Sequence, residues 1–391
     1  MGFILAMNLS ARGDALDAWT NVAVSPYGNF NSITYGNGVF VAGSSIPYHG
    51  VFSGTNGGIS ASSDGVHWAH TGFGPAITGV AYGNGMFVAT GSDPNTSGSA
   101  GAIYFSANGS TWSTVSGLPG LNAVTFGKGV FVAVGFKNEG QAAYITVSTD
   151  GRNWNSQGTG SGYVLTGAGY GNGQFIATGY INGGVYGEVL VSPDGTNWTD
   201  ANAVVPGPPM IPPLPPGLLS TNVGKVRFVN NLYYAGSYSS PDGTNWTVVS
   251  PPAPMLWVSQ SGTNHLYIGV GAAGGVYTSM DATNWVTRGT GVTNDLNWIA
   301  YGNGRMAVVG SGGGVFLSGS TVPILTAQNQ LPGGMQLTIS GGLGPTYQLQ
   351  ASADLKAWTN LITFTNIGAG TNYLDAAAGS FGQRFYRTVS P

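Results

Sequence analysis

The sequence has no cysteine, few charged residues and no long apolar run. The absence of cysteine excludes disulfides and thiolate metal sites. The four histidines, His49, His67, His70 and His265, show no metal-ligand spacing, so we expect neither a metal nor a cofactor. Only 11 Lys and Arg occur in 391 residues, which excludes a basic patch for nucleic acid. No run approaches the ~20 apolar residues of a membrane span.

Glycine and aromatic residues are abundant instead. The chain contains 67 glycines, and 12% of its residues are aromatic. Such a composition is poor material for helices and is typical of β-strands joined by tight turns. The sequence therefore predicts an all-β fold.

Two repeated elements organise the chain. The first is a Tyr-Gly-Asn-Gly-like turn followed by an apolar strand, with copies at Tyr35, Tyr82, Phe126, Tyr170 and Tyr301 and looser copies at Val229 and Gly262. The second is a Ser-x-Asp-Gly-x-x-Trp box, in which Asn108 replaces one Asp and Ala282 one Gly. The box pairs are Asp64 and Trp68, Asn108 and Trp112, Asp150 and Trp154, Asp194 and Trp198, Asp242 and Trp246, and Asp281 and Trp285.

The tryptophans, counted from Trp19, recur every 39 to 49 residues, which is the period of propeller blades. Each unit divides into four strands, A to D, as in Asn122–Phe126, Val130–Val134, Ala143–Val147 and a last strand from Trp154. The seventh unit lacks a box, and Ala18–Ala23 is predicted to supply its D strand. The sequence thus predicts a seven-bladed β-propeller of four-stranded blades over residues 16–321, closed by an N-terminal strand.

The boxes resemble the Asp-box of BNR-like, sialidase-like propellers, a group that includes sialidases, some glycoside hydrolases, photosystem II assembly factors and bacterial surface proteins. The resemblance covers roughly residues 16 to 320 and implies fold more than function. This box is one residue shorter than the usual Ser-x-Asp-x-Gly-x-Thr-Trp pattern, which points towards binding-type and surface-type members. Its Ser, Asp and Gly are expected to form turns, and its Trp to pack between sheets.

No catalytic residue is predicted. A sialidase needs three converging arginines, and the propeller holds only Arg152, Arg227, Arg288 and Arg305. A glycosidase needs two facing carboxylates. Asp93 with Glu139 is one conceivable pair, against the alternative that both are solvated loop acids.

A ligand is expected on the face formed by the B–C loops and D–A connections, because these segments vary in length and content. Aromatic side chains beside Asn, Asp and Thr there suit a glycan, and packing between loops is the alternative. The candidate residues are Tyr48, His49, Phe52, Asp93, Phe136, Glu139, Tyr180 and Tyr186.

Arg227 is the ninth candidate. The same strand-A column carries small residues in the other units: Thr34, Ala81, Thr125, Gly169, Ser259 and Ala300. An Arg among them could reach the central channel and hold an anion or a carbonyl. The alternative is a structural Arg that bonds backbone carbonyls.

The two ends differ from the repeat. Residues 1–15 resemble the end of a secretory signal peptide, and a frayed terminus is the alternative. Residues 322–391 alternate apolar and polar positions and predict a small β-sandwich, similar to the fibronectin-III-like modules of bacterial secreted proteins.

The combined interpretation is a non-catalytic, secreted or cell-surface bacterial protein with a binding, adhesion or structural role. Its partner is expected to be a glycan or a protein surface, or another copy of the chain. The alternative is a carbohydrate-active enzyme with its site on the B–C loop face.

Overall fold

The computed structural model describes nineteen segments of the chain: residues 19–24, 28–45, 57–70, 74–93, 100–137, 142–157, 163–181, 187–201, 226–229, 231–235, 238–248, 255–261, 266–279, 284–288, 291–320, 323–330, 334–341, 347–364 and 371–389. Within them, the regular structure is β-strand apart from three single-turn 3-10 helices, at Ala272–Gly274, Ser311–Gly313 and Ala378–Ser380. The predicted all-β fold is confirmed. The chain divides into a compact unit of Thr20–Leu317 and a second that contains Ser318–Pro391.

In the described residues, the first 28 strands form seven four-stranded sheets, numbered here along the chain. Sheet 1 contains β2 (Asn29–Gly36), β3 (Val39–Ser45), β4 (Gly57–Ser62) and β5 (Ala69–His70). Sheet 2 contains β6 (Ile77–Gly83), β7 (Met86–Ser92), β8 (Gly101–Ser106) and β9 (Ser113–Leu118). Sheet 3 contains β10 (Gly120–Gly127), β11 (Val130–Lys137), β12 (Ala142–Ser148) and β13 (Asn155–Gln157). Sheet 4 contains β14 (Tyr163–Gly171), β15 (Gln174–Ile181), β16 (Gly187–Ser192) and β17 (Thr199–Asp200).

The next three sheets repeat this order, and the last takes one strand from the N-terminus. Sheet 5 contains β18 (Val226–Val229), β19 (Leu232–Ala235), β20 (Tyr238–Ser240) and β21 (Thr247–Val248). Sheet 6 contains β22 (Met255–Ser261), β23 (Leu266–Gly271), β24 (Val276–Ser279) and β25 (Val286–Arg288). Sheet 7 contains β26 (Leu296–Gly302), β27 (Arg305–Gly310), β28 (Gly314–Ser318) and then β1 (Trp19–Val24) beside β28.

A two-residue turn joins the first two strands of most sheets. Lys128 and Gly129, which connect β10 to β11, have φ angles of 49° and 77°. Both central residues of a type I′ turn need positive φ, and glycine adopts it without steric cost. Four other turns place Asn before Gly in the same conformation, at Asn37, Asn84, Asn172 and Asn303. This turn fixes the register of each inner pair.

Neighbouring sheets interlock through a glycine and an aromatic ring. A Cβ on Gly83, at the end of β6, would lie 2.1 Å from the Phe126 ring of the next sheet. That ring in turn lies 4.6 Å, centroid to centroid, from Phe131. The same glycine–ring contact recurs between four further pairs of neighbouring sheets: Gly36 and Tyr82, Gly127 and Tyr170, Gly171 and Phe228, and Gly302 and Tyr35. Because Gly302 lies in sheet 7 and Tyr35 in sheet 1, the last sheet meets the first.

In the residues that are described, the second unit has six strands in two three-stranded sheets. One is ordered β29 (Pro323–Gln330), β30 (Gly334–Gly341), β33 (Thr371–Asp375), and the other β32 (Thr359–Phe364), β31 (Tyr347–Ser352), β34 (Phe385–Val389). Leu337 and Ile339 from the first sheet and Tyr347, Leu349 and Phe364 from the second are buried in one cluster. The two sheets therefore share a core.

Candidate functional site

The box residues bond within their own turns. In sheet 3, Asp150 Oδ1 accepts hydrogen bonds of 2.8 Å from the backbone N–H groups of Arg152 and Asn153. Ser148 Oγ accepts a bond of 2.8 Å from Gly151 N–H, and Trp154 Nε1 donates to Gly151 O at 3.1 Å. The side chains thus satisfy backbone groups of the turn.

The other described boxes have the same contacts. The hydrogen bonds of Asp64, Asn108, Asp194 and Asp242 follow this pattern, and the indoles of Trp68, Trp112, Trp198 and Trp246 each donate to the glycine carbonyl of the box. Asn108 replaces the carboxylate with an amide oxygen, and its bonds to Ser110 and Thr111 N–H are both 2.9 Å long. In the sixth box, Asp281 lies outside the described residues, and Trp285 packs against the cluster of Tyr267 and Tyr277.

These bonds shift the ionisation of the box carboxyls. In Asp150, the backbone N–H groups of Asn153 and Arg152 hold the pKa of the carboxyl well below its usual range. Asn197 and Thr196 lower the pKa of Asp194 in the same way. A general acid needs the opposite shift, so these carboxylates are unsuited to that role.

Asp93 directly follows β7 at the edge of sheet 2. Its side chain is buried, with 2% of its surface exposed, and its Oδ2 accepts a hydrogen bond of 2.8 Å from Gly117 N–H in β9. Burial, and next the nearby charge of Asp93, raise the pKa of Tyr104, whose hydroxyl donates to Ser92 O at 2.7 Å. Asp93 thereby ties the end of β7 to the outer strand.

Phe136 lies in β11 opposite Gly120. A Cβ on Gly120 would be 2.6 Å from the ring, so Phe136 covers that glycine within its own sheet. Tyr180 lies in β15, and only its backbone is described. The remaining candidates of the B–C face lie outside the described residues: Tyr48, His49, Phe52, Glu139 and Tyr186.

Arg227 lines a cavity of about 340 Å³ between the inner strands of the first unit. The walls come from sheets 1 to 5 and 7, and they include the threonines Thr34, Thr78 and Thr125. Arg227 pairs with Tyr234 across β18 and β19, as Thr125 pairs with Val132 across β10 and β11. The two residues therefore hold the same register position in their sheets.

The cavity wall is otherwise uncharged where the structure describes it. Apart from Arg227, its described lining residues are Gly, Ala, Thr, Val, Ile, Phe, Tyr and Trp. Burial lowers the pKa of the Arg227 guanidinium from its usual value, and an arginine remains protonated through such a shift. The cavity therefore carries one positive charge in surroundings where water screens it poorly.

A ring of polar side chains at the start of the inner strands was not predicted. Six of the described inner strands have a β-bulge, and in four of them the side chain of the bulged residue donates to the inner strand of the next sheet. Thr166 instead donates to Thr178 O of its own sheet at 3.5 Å. Asn31 Nδ2 donates to Ile77 O at 2.8 Å, and Thr78 Oγ1 to Leu121 O at 2.9 Å. Asn122 and Asn297 make equivalent bonds to Leu165 O and Phe30 O.

A sequence signal for this ring exists. A polar residue stands four positions before the turn aromatic in five units: Asn31, Thr78, Asn122, Thr166 and Asn297. In sheet 6 the position holds Leu256, and in sheet 5 it lies outside the described residues. Among the described residues, Leu256 is thus the one position that departs from this polar pattern, and it lies in the sheet that follows that of Arg227.

Among the residues that the structure describes, no helix is long and apolar enough to cross a membrane. No group of three or more His, Cys, Asp or Glu side chains there is arranged to hold a metal ion.

No protein-family model matches the chain, and no curated protein sequence matches it. Among solved structures, YCF48 bound to D1 peptide is similar at 14% identity and a TM-score of 0.53, over 77% of this chain and 97% of that one. A GH74 xyloglucanase from Xanthomonas campestris is 12% identical with a TM-score of 0.49, over 82% and 59% of the two chains. A Hadza microbial sialidase is 12% identical with a TM-score of 0.41, over 75% and 65%.

These neighbours are β-propeller proteins. At 14% identity, the likeness to YCF48 carries information on fold and none on ligand or activity. Together with the interlocked four-stranded sheets, it confirms the coarser part of the sequence prediction: the chain has a β-propeller fold.

Proposed function

We propose that the chain is a non-catalytic binding protein of the bacterial surface or exterior. Its scaffold is a seven-bladed propeller of residues 16–321 with a small β-sandwich of residues 322–391, and its ligand is a glycan or a protein surface. The observation that carries the proposal is the cavity lined by Arg227, the single charge on a repetitive wall that is otherwise uncharged where its residues are described.

Seven blades are supported by the order of contacts in the first unit. The inner strands touch in the order β2, β6, β10, β14, β18, β22 and β26, and β26 touches β2. Each of the seven described sheets contributes one of these strands. The proposed closing strand is β1, which is the outermost strand of sheet 7 and lies beside β28. In that place it covers the edge that β28 would otherwise expose.

A sandwich in the second unit is supported by the shared core of its two sheets. Two antiparallel sheets that face each other across buried apolar side chains are the usual arrangement of such a module. The resemblance to fibronectin-III-like modules remains a proposal from the sequence.

Binding without catalysis is supported by the hydrogen bonds that the box aspartates and Asp93 make within the protein. The box aspartates hold their turns, and Asp93 is bonded to Gly117. A glycosidase needs two carboxyl groups about 5–10 Å apart with different roles. The proposed alternative, a carbohydrate-active enzyme, would have to draw on Glu139 or on other residues of the B–C face.

The exterior location is part of the proposal and draws on the low charge of the chain. A surface rich in Gly, Asn and Thr also suits adhesion or self-association. Neither property selects a ligand, so the test must sample both glycans and peptides.

The experiment is a glycan array and a peptide array probed with the chain from about Asp17. Three variants accompany it: Arg227→Ala, the triple variant Tyr48→Ala/Phe52→Ala/Tyr186→Ala, and Arg152→Ala as a control with the same charge change on an exposed box residue. We expect selective binding that the Arg152 variant keeps. Absence of binding on both arrays would overturn the proposal.

The two site variants separate the cavity from the loop face. Loss of binding in the Arg227 variant alone places the ligand at the cavity. Loss in the triple variant alone places it on the B–C face and leaves the binding function intact.

A further inference from the structure

The cavity departs from the repeat at one register position. The residues that occupy the place of Arg227 in other sheets are small, and those on the described wall are Thr34, Ala81, Thr125 and Gly169. A repeat needs no arginine here for its fold, because the other sheets pack without one. Local breaks in an otherwise consistent pattern are where function is to be expected.

The guanidinium is well suited to a ligand even though Arg227 has partners in the protein. It carries five N–H donors in a fixed fork. Some of these donors can bond to the protein while others bond to a ligand. Its fork matches the two oxygens of a carboxylate. In the poorly screened cavity, such a charge-assisted bond is stronger than in water.

We propose that this cavity binds the carboxylate of a ligand's end group on Arg227, with the uncharged part of that group against the threonine and aromatic wall. The inference rests on the proposed binding function and names the chemistry of its ligand. The carboxylate can come from a terminal acidic sugar or from a peptide C-terminus.

Charge and size both favour a single carboxylate. One guanidinium balances one negative charge, whereas a phosphate monoester brings about −1.5 to −2 and would leave buried charge uncompensated. A volume of about 340 Å³ is at the lower end of the roughly 300–1,000 Å³ of small-molecule sites. The cavity thus suits one terminal group rather than a long polymer segment.

The test measures binding of two matched probe pairs by calorimetry. The first pair is trigalacturonate and its methyl ester, and the second is the peptide Gly-Phe-Ala with a free or an amidated C-terminus. We expect at least one acidic probe to bind at least about 10-fold more tightly than its neutral partner, the size of one charge-assisted hydrogen bond. The pair that responds identifies the source of the carboxylate.

Three variants locate the effect. Arg227→Ala should remove the preference for the acidic probe, and Arg152→Ala should keep it. Thr125→Met leaves Arg227 in place but fills part of the cavity. It should therefore also weaken binding of the acidic probe. If Arg227→Ala fails to fold, the Thr125 variant decides the location.

The inference is overturned if acidic and neutral probes bind equally or not at all, or if the preference survives both cavity variants. In either case selective array binding would still support the proposed function. If nothing binds on the arrays but calorimetry shows clearly tighter binding of an acidic probe than of its neutral partner, the cavity site is supported and the proposed function is rejected.

Discussion

Asn297 Nδ2 donates a hydrogen bond of 2.9 Å to the backbone oxygen of Phe30, which lies 267 positions away in the sequence. The bond joins the inner strand of sheet 7 to that of sheet 1. Asn297 is 7% exposed and Phe30 is fully buried. The contact is therefore a buried polar link between the two ends of the propeller.

Replacing Asn297 with Ala should destabilise the fold by about 1–3 kcal/mol, because a buried carbonyl loses its donor. The measurement is urea unfolding followed by tryptophan fluorescence. Asn155→Ala, on the exposed strand β13, is the matched control and should change the free energy of unfolding by less than about 0.5 kcal/mol. If the two variants change the free energy of unfolding equally, the hydrogen bond between Asn297 and Phe30 does not stabilise the fold beyond the effect of an exposed side chain.

The box aspartates should make the fold sensitive to acid. The pKa values of Asp150 and Asp194 are lowered in the folded chain, so the unfolded chain takes up their protons first. Their stabilisation is present above the unfolded Asp pKa of about 3.9 and is lost as the pH falls further. The free energy of unfolding should thus decrease below about pH 4.

The double variant Asp150→Asn/Asp194→Asn tests this dependence. Asn108 already makes the same turn contacts in sheet 2, so the variant should fold. Its loss of stability between pH 5 and pH 2 should be smaller than that of the original chain, measured by urea unfolding at each pH. An unchanged acid dependence would show that the charge on these carboxylates is irrelevant.

The C-terminal module contains a box with a strained residue. Leu355 occupies the glycine position with a φ of 61°, and its N–H donates to Ser352 Oγ at 2.8 Å, as in the propeller boxes. Its side chain is 57% exposed. Left-handed backbone costs a non-glycine residue roughly 1–2 kcal/mol, so Leu355→Gly should stabilise the module by about 0.5–1 kcal/mol once the entropy of glycine is included.

Replacing a box glycine of the propeller with leucine should destabilise the fold, the opposite of the effect expected for Leu355→Gly. Gly65 has a φ of 78°, and a Cβ there would lie 3.1 Å from Leu317 of sheet 7. Gly65→Leu should therefore destabilise sheet 1. Hydrogen exchange of the amides in β4 and β31 reports the two effects separately, and faster exchange in β31 of the Leu355→Gly chain would contradict the account.

Local repeat chemistry predicted most of the scaffold. The Tyr-Gly-Asn-Gly turn specifies its own backbone conformation, so the hairpin that contains Lys128 and Gly129 follows from sequence. Asn31 and Asn297 were missed because their bonds join different sheets, and the spacing of residues within one unit says nothing of its neighbour. The predicted strand units do not reveal the bulges that direct these side chains towards the next sheet.

Among the candidate ligand residues, too, those marked by the repeat pattern could be recognised from the sequence, whereas contacts between distant residues could not. Arg227 could be singled out because it is the single exception to small residues in one column of seven aligned units. Asp93 was grouped with the loop residues, and its bond to Gly117 in β9 depends on a contact 24 positions away that no local pattern encodes. For Tyr48, His49, Phe52, Glu139 and Tyr186 the sequence prediction stands as a prediction.

The central claim, binding without chemical change, is tested most directly by recovering the ligand. The ligand selected on the arrays is incubated with the immobilised chain for a day, washed, eluted and weighed by mass spectrometry. The account predicts that it is retained and eluted with unchanged mass. A shortened or hydrolysed ligand would contradict the account and would establish an enzyme in its place.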